Sequence, residues 1–319
     1  MSNVLGKQLQ TIAIATIMLG TFFGGCLSNP FKAEDSYGNE LLLPEWKKGY
    51  YWEYAVKAAG RELSTTMVVS IDDDEYDYYV SSSTVNDAKM HAVLNHNPAL
   101  GRVEKENLAV YENGETQLLF DFPLTDSKAW TFSLYGKEQF NAVVQDLVNN
   151  KANIIATSND GAKIEYDYDE DYKWFTSFIY TDNTGEVILE MTLASRGIDY
   201  SGNTYFCRGG DLYDEEFSGP DLSFYDTVYV NEGHERYGNW NYIVYYIESE
   251  IGSSGSGELV LRDHEETDIL IETFSPGTST SEAGTVLGES GNWTMEISLS
   301  GNADVRLRIA GAIEYSYAV

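Results

Sequence analysis

The clearest pattern in the chain is a strict alternation of apolar and polar residues in two adjacent runs near its carboxyl end. The apolar positions are Met295, Ile297, Leu299, Val305, Leu307 and Ile309. Gly301-Asn302 lies between the runs and has the chemistry of a hairpin turn. A period of two is typical of strands with one buried and one solvated face. The pattern predicts a hairpin with Arg306 and Arg308 on the solvated face.

Aromatic and β-branched runs bounded by turn residues recur along the rest of the chain. They span residues 66–71, 76–81, 118–122, 130–134, 152–157, 163–168, 175–180, 187–193, 223–230, 242–247, 258–261 and 269–274. Such runs are typical of strands. No long segment has a clear helical period, although residues 100–111 and 140–148 each fit a short helix. The sequence predicts an all-β, mainly antiparallel fold.

The strand pattern divides at residues 207–220, which are enriched in glycine and acidic residues. Before this division, residues 46–210 predict one curved, half-barrel-like sheet. After it, residues 220–319 predict a β-sandwich of six or seven strands. Gly291-Asn292-Trp293-Thr294 and the alternating runs that follow resemble the end of carboxy-terminal jelly-roll modules in secreted prokaryotic proteins.

Two aromatic motifs stand out in the first of these domains. They are Trp46-x-x-Gly49-x-x-Trp52-x-Tyr54 and Phe120-Asp121-Phe122-Pro123-Leu124 leading to Trp130. They resemble the opening and middle of envelope proteins in the lipoprotein-carrier (LolA/LppX-like) half-barrel group. The resemblance covers about residues 46–196 and implies an incomplete antiparallel barrel. In the lipoprotein carriers the concave side holds acyl chains, so the resemblance raises the question of an apolar ligand.

The amino-terminal run of residues 12–26 is uncharged, apolar and ends on Cys26. Lys7 is the one charged side chain before it, as in a secretory signal. The run is short for a helix that crosses a membrane. Its end, Phe23-Gly24-Gly25-Cys26, resembles the lipobox of prokaryotic lipoproteins, in which the cysteine is lipidated and becomes the first residue.

The sequence therefore predicts a signal peptide over residues 1–25 and a tether over residues 26–45. The alternative is an uncleaved anchor helix at the same place. Both interpretations predict that the rest of the chain lies on the extracytoplasmic face of the cell membrane. The membrane is thus an expected partner, through a lipidated Cys26.

The composition is strongly acidic, with 51 Asp and Glu against 20 Lys and Arg and a net charge of −31. Lysine is absent after Lys173. A field of this sign repels phosphate backbones, so nucleic acid is not an expected partner. An acidic coat also keeps a protein hydrated in salt, where screening weakens its self-repulsion.

The common catalytic signatures are absent from the sequence. There is no Gly-x-Ser-x-Gly or Ser-x-x-Lys motif, and His234-Glu235 and His264-Glu265 lack the second histidine of zinc peptidases. Cys207 lies beside Arg208, which favours a thiolate. We expect a protein without enzymatic activity. The alternative is a secreted hydrolase that acts on a polysaccharide or peptide through carboxylates or Cys207.

An acidic segment near the domain boundary is the best candidate for a metal site. Asp211, Asp214, Glu215 and Glu216 could supply the hard oxygens of a calcium loop, and calcium is the one cofactor that the sequence suggests. The alternative is a solvated acidic turn.

Two tryptophans are candidates for ligand binding. Trp240 and Trp293 lie beside Asn and Gly near turns, so we expect partly exposed rings that can bind sugars. Asn292-Trp293-Thr294 matches the N-glycosylation pattern, with Asn292 as the acceptor.

These observations predict a membrane-anchored extracytoplasmic lipoprotein with a non-catalytic binding or envelope role. A lipid or other apolar ligand in the first domain is its specific form. The alternatives are the hydrolase described above and a carbohydrate-binding surface protein.

Overall fold

The fold is taken from a computed structural model, which describes residues 40–58, 61–94, 97–112, 114–137 and 139–319. The predicted signal peptide, Cys26 and most of the tether lie outside the described residues. In the part of the chain that is described, no helix has the length and apolar character needed to cross a membrane. The described residues confirm a mainly antiparallel all-β fold, and their strands do not close into a barrel.

The first part of the chain builds a ten-stranded antiparallel sheet, with one helix and four short strands outside it. The elements are β1 (Glu40–Leu41), β2 (Tyr51–Ala58), β3 (Arg61–Asp73), β4 (Tyr78–Ser82), α1 (Val85–Leu94), β5 (Gly101–Glu104), β6 (Val110–Glu112), β7 (Glu115–Gln117), β8 (Leu124–Thr125), β9 (Ala129–Phe132), β10 (Phe140–Val148), β11 (Lys151–Ser158), β12 (Lys163–Asp169), β13 (Trp174–Thr181) and β14 (Val187–Gly197). The strand order in the sheet is β5-β4-β3-β2-β14-β13-β12-β11-β10-β9.

The second part of the chain is a sandwich of two four-stranded sheets, with a small hairpin beside it. Its strands are β15 (Asn203–Ser218), β16 (Leu222–Val230), β17 (Gly233–His234), β18 (Gly238–Asn239), β19 (Tyr242–Ile251), β20 (Ser256–Arg262), β21 (Asp268–Phe274), β22 (Ser279–Leu287), β23 (Gly291–Ser300) and β24 (Ala303–Ala318). The sheets have the orders β15-β24-β19-β22 and β16-β23-β20-β21. With β17 and β18 set aside, this is the strand order of a jelly roll.

One face of the ten-stranded sheet is filled with large aromatic side chains. Those that are completely buried are Trp46, Trp52, Tyr54, Phe120, Phe140, Tyr166, Tyr168, Trp174, Phe175 and Phe178. Phe120, from the segment between β7 and β8, lies 5.1 Å from the Trp174 ring, so this segment closes the core from outside the sheet. The indole N–H of Trp52 donates to the carbonyl of Tyr172 at 2.8 Å, as a buried indole requires.

Helix α1 joins the two parts of the structure. Ala88, Ala92 and Val93 of the helix pack against the outer face of the β15-β24-β19-β22 sheet, which is lined there by small side chains such as Ala310 and Ala312. Gly209 of β15 permits this close approach, because a Cβ atom there would overlap the carbonyl oxygen of Ala92. Ala-rich and Gly-rich surfaces let the helix and the sheet meet at backbone distance.

A cluster of hydrogen bonds anchors the amino terminus of α1. The Asp87 amide donates to the Thr84 hydroxyl at 3.3 Å, and the Asp87 carboxylate accepts from Ser83 at 2.9 Å and from Thr65 at 3.2 Å. Thr84 is therefore the N-cap of the helix, and Asp87 lies in its first turn, where negative charge is favourable.

The prediction that residues 295–309 form a hairpin is wrong, because its two strands do not pair with each other. β23 and β24 follow each other in sequence but belong to opposite sheets of the sandwich. The turn at Gly301, whose φ is 66°, crosses between the sheets, so the two apolar faces pack across the core instead of side by side. The expected solvated positions of Arg306 and Arg308 are confirmed, since both point away from this core and are half-buried.

Both expected short helices are also wrong. Residues 140–148 form β10, where a β-bulge between Val144 and Asp146 turns Leu147 inward and interrupts the period of two. Residues 101–104 and 110–112 are the strands β5 and β6. The helix that does form, α1, was not predicted, because its small and polar residues give it almost no apolar stripe.

Gly209→Ala tests the contact between α1 and the sandwich. Gly209 does not have a positive φ, so alanine is tolerated by the backbone, and the only conflict is the overlap with Ala92. We expect a loss of about 1–3 kcal/mol in the free energy of unfolding, typical of overpacking. Urea denaturation measures it. Ser218→Ala, at an exposed position on the same strand, is the control and should change stability by less than about 0.5 kcal/mol.

Candidate functional site

The two tryptophans expected to be exposed are both buried, so that expectation is wrong. Trp293 is 1% exposed in the sandwich core and Trp240 is 8% exposed. The Trp240 ring lies over Gly210 and Gly311, where side chains would collide with it, and its indole N–H donates to the Asn231 side chain at 2.8 Å. Neighbouring turn residues did not expose these rings, because the strands on either side direct them inward.

The acidic residues proposed for calcium lie along β15 and do not converge. Asp211, Asp214 and Glu216 lie opposite Ala310, Arg308 and Arg306 on the outer side of β24, whereas Glu215 lies opposite Leu307 on the side of the core. Arg306 binds Asp214 at 2.8 Å and Glu216 at 3.1 Å. Burial raises the pKa of Asp214, but Arg306 and Arg308 outweigh it and hold that pKa below its usual value. Among the described residues, no three potential ligands are grouped for a metal ion.

Cys207 is buried behind α1 and is not available as a nucleophile. It packs with Ala88 and Ala92, and burial, with a smaller contribution from Glu314, raises the pKa of its thiol to about 12. A thiol of this kind stays protonated near neutral pH. Desolvation therefore dominates the pKa of this thiol, and the thiolate expected beside Arg208 is not favoured.

The ten-stranded sheet offers little room for an acyl chain, because its own aromatic residues fill its inner face. A groove of about 510 Å³ opens at the surface beside this core, between Leu42, Leu43, Leu118 and Phe122. Glu106 and Asp121 also line it, so the groove carries both apolar and acidic side chains.

The two outer faces of the sandwich differ sharply. The outer face of β15-β24-β19-β22 is partly covered by α1. The outer face of β16-β23-β20-β21 carries Tyr225, which is 58% exposed, and Tyr229, which is 65% exposed. Val228 and Val230 point into the core, so the strand alternation places both tyrosines on the outside. We call this surface the tyrosine face.

The strand register arranges polar groups between the two tyrosines. Tyr225 lies opposite Glu296 and Tyr229 lies opposite Asn292, with Thr294 between these two partners on β23. Tyr229 follows Tyr225 by four positions along the extended strand, a distance of about 13 Å. The face is therefore an open, elongated surface with a ring near each end and hydrogen-bonding side chains between them. Asn292 is exposed, and its use for glycosylation stays a prediction.

The one arginine of the tyrosine face is held by two carboxylates. Arg262 lies across the strand from Thr294. Its Nε donates to Asp268 Oδ1 at 2.8 Å, and its Nη1 lies 3.3 Å from Glu296 Oε2. These hydrogen bonds, led by the one to Glu296, raise the pKa of Arg262, which stays charged. Two acceptors fix the orientation of the planar guanidinium group.

The hydroxyl of Thr294 is buried on this face and has no hydrogen-bond partner among the described residues. The side chain is 7% exposed. An unpaired buried hydroxyl lowers the stability of the fold by about 1–3 kcal/mol. Stability of the fold therefore does not explain a threonine at this position. Residues kept at a cost to stability are concentrated at functional sites.

The sequence missed this face although the signal was present. The run 223–230 was correctly predicted as a strand, and the alternation of Tyr225, Thr227 and Tyr229 with Asp226 and Val228 marks two sides. The sequence does not show which side is covered by other parts of the chain. Among the described residues, the position of α1 on the opposite sheet distinguishes the open face from the covered one.

No family model and no curated protein matches this chain. Among solved structures it is similar to the insecticidal delta-endotoxin Cry8Ea1 from Bacillus thuringiensis, at 9% identity and a TM-score of 0.21, over 86% of this chain and 54% of that one. It is also similar to MucB in complex with MucA(peri), at 10% identity and a TM-score of 0.23, over 83% of this chain and 89% of that one.

A third similar structure is SGBP-B of the Bacteroides ovatus mixed-linkage glucan utilization locus, in complex with a mixed-linkage heptasaccharide. Its identity is 7% and its TM-score 0.17, over 80% of this chain and 89% of that one. The chain spans about half the length of the endotoxin. TM-scores of this size carry no argument about function. The functional argument rests on the residues of this chain.

Thr294→Val tests whether the threonine hydroxyl contributes to folding. Valine has the same shape without the unpaired hydroxyl, so we expect unchanged stability or a gain of up to about 1 kcal/mol. Thr204→Val is the matched control, because the buried Thr204 hydroxyl bonds Ser70 at 2.8 Å and its loss should cost about 1–3 kcal/mol. Thermal or urea unfolding measures both. An equal loss in the two variants would contradict the unpaired state of Thr294.

Proposed function

We propose that this protein is a membrane-anchored, extracytoplasmic binding protein that binds carbohydrate on its tyrosine face. The observation that carries the proposal is the pair of exposed rings, Tyr225 and Tyr229, on one side of one strand, in a sheet whose outer face no other described element covers. Tyrosine has a planar apolar ring and a polar end, so it contacts both the apolar side and the hydroxyl groups of a sugar ring. Rigid rings also lose little entropy on binding.

The groups between the rings support a sugar ligand over a purely apolar one. Asn292, Glu296 and Arg262 supply donors and acceptors on the same face, and sugars need such partners for their many hydroxyl groups. The surface is open instead of concave, which suits one side of an extended chain. A lipid ligand has less support, because aromatic side chains fill the inner face of the ten-stranded sheet.

Binding without catalysis is the form of the proposal. The protonated, buried thiol of Cys207 supports it. His234 lies beside Tyr237 and His264 lies 3.9 Å from Glu289, on separate segments of the sandwich. The extracytoplasmic location rests on the apolar leader and the lipobox-like Phe23-Gly24-Gly25-Cys26.

Substitution of the two rings tests the carbohydrate site. Tyr225→Ala and Tyr229→Ala should each weaken binding to the best hexasaccharide from a neutral panel of glucose, xylose, mannose and N-acetylglucosamine by about tenfold, because a ring contact is worth about 1 kcal/mol or more. Isothermal titration calorimetry measures the affinities. Tyr76→Ala is the control, since Tyr76 is equally exposed on the β3–β4 turn, outside the sandwich.

Equal losses in all three variants would contradict a site on the tyrosine face. Absence of binding to every member of the panel by the unmodified protein would contradict the carbohydrate function itself.

Cys26→Ser tests the anchor. If Cys26 carries lipid, growth with a labelled fatty acid should label the unmodified protein and not this variant, since the acyl chains are attached at Cys26. Immunoprecipitation and gel imaging measure the label, with Ser28→Ala as the control. An unmodified protein that stays in the membrane without taking up label would favour the anchor helix over the lipoprotein.

A further inference from the structure

The tyrosine face carries a charge arrangement that bears on which sugars it accepts. Arg262 is the cation among its described residues, and Asp268, Glu296 and the exposed Glu258 are its anions. Two nitrogens of the Arg262 guanidinium already face carboxylates, Nε with Asp268 at 2.8 Å and Nη1 with Glu296 at 3.3 Å, which leaves the Nη2 donors for a ligand. A sugar carboxylate or sulfate at these donors would lie close to both carboxylates and be repelled by them, whereas a neutral hydroxyl group would not.

The charge of the whole chain acts in the same direction. The net charge is −31, and the last hundred residues hold four arginines and no lysine. An anionic polymer therefore meets an unfavourable field on approach and no free cation on arrival. A neutral polymer meets neither obstacle, and the carboxylates of Glu296 and Glu258 can accept hydrogen bonds from its hydroxyl groups.

We propose that the tyrosine face is selective for uncharged glycans, and that Asp268 and Glu296 enforce this selectivity by occupying Arg262. This inference rests on the proposed carbohydrate binding. It assigns the two carboxylates a role as specificity-determining residues. They orient Arg262, which can still donate hydrogen bonds to neutral hydroxyl groups, and they prevent it from binding the carboxylates of acidic sugars. Discrimination by making the wrong ligand unfavourable is a general route to specificity.

The test compares two ligands of equal length, the best neutral hexasaccharide of the panel and hexagalacturonate. Binding is measured by isothermal titration calorimetry with the full protein, at low salt and at high salt. We expect the unmodified protein to bind the neutral sugar with little salt dependence and to bind hexagalacturonate at least about tenfold more weakly, since a charged hydrogen bond is worth about 1.5–3 kcal/mol.

The double variant Asp268→Asn/Glu296→Gln removes the two negative charges beside Arg262 while keeping the shapes of its neighbours. The preference for the neutral sugar over hexagalacturonate should fall by about tenfold or more, because the arginine can now pair with a carboxylate of the ligand. The control is Glu62→Gln/Glu115→Gln, which removes the same number of charges from exposed sites in the first part of the chain. Its preference should match that of the unmodified protein.

Three outcomes separate the possibilities. If the unmodified protein binds no neutral sugar, both the proposed function and the selectivity are wrong. If it binds the neutral sugar and hexagalacturonate equally, the carbohydrate function stands and the selectivity is wrong. If the control variant changes the preference as much as Asp268→Asn/Glu296→Gln does, net charge sets the selectivity and the assigned role of the two carboxylates is overturned.

Discussion

The pairing of β15 with β24 is the interaction on which the rest of the structure depends. The two strands pair from Asn203 with Ala318 to Ser218 with Asp304. One side of β24 faces the sandwich core, and the other side faces α1 through Ala310 and Ala312. A slip of one residue would exchange these sides and bury arginines in the core. The register of one strand pair therefore specifies two packed interfaces at the same time.

Glycine at the right positions makes this pairing compatible with both interfaces. Gly209 admits the backbone of α1 on one side, and Gly210 and Gly311 admit the ring of Trp240 on the other. Gly209 and Gly210 also gave residues 207–220 the composition of a boundary or a loop. The structure shows a continuous strand there, in which small residues serve close packing and not flexibility.

The sequence predicted the type of element well and the partners of each element poorly. Period-two alternation identifies a strand and its buried side, which is why Arg306 and Arg308 were placed correctly on the solvated side. It carries no information on whether the next strand pairs alongside or packs across the core, so β23 and β24 were mistaken for a hairpin. The prediction of exposure from sequence has the same limit. Trp293 and Tyr229 lie on adjacent strands with similar neighbours, but Trp293 is on the core side of its strand and Tyr229 on the outer side.

The position of α1 has a mechanical consequence. The helix belongs to the connection between β4 and β5, yet it packs on the sandwich, and the buried Ser70 hydroxyl bonds those of Ser82 and Thr204, which links β3 and β4 to β15. A chain connected only by a linker would let its two parts swing under tension. Here a pull on the sandwich would be transmitted to the ten-stranded sheet through buried, hydrogen-bonded contacts. The described part of the chain from residue 40 onward would bear load as a single block.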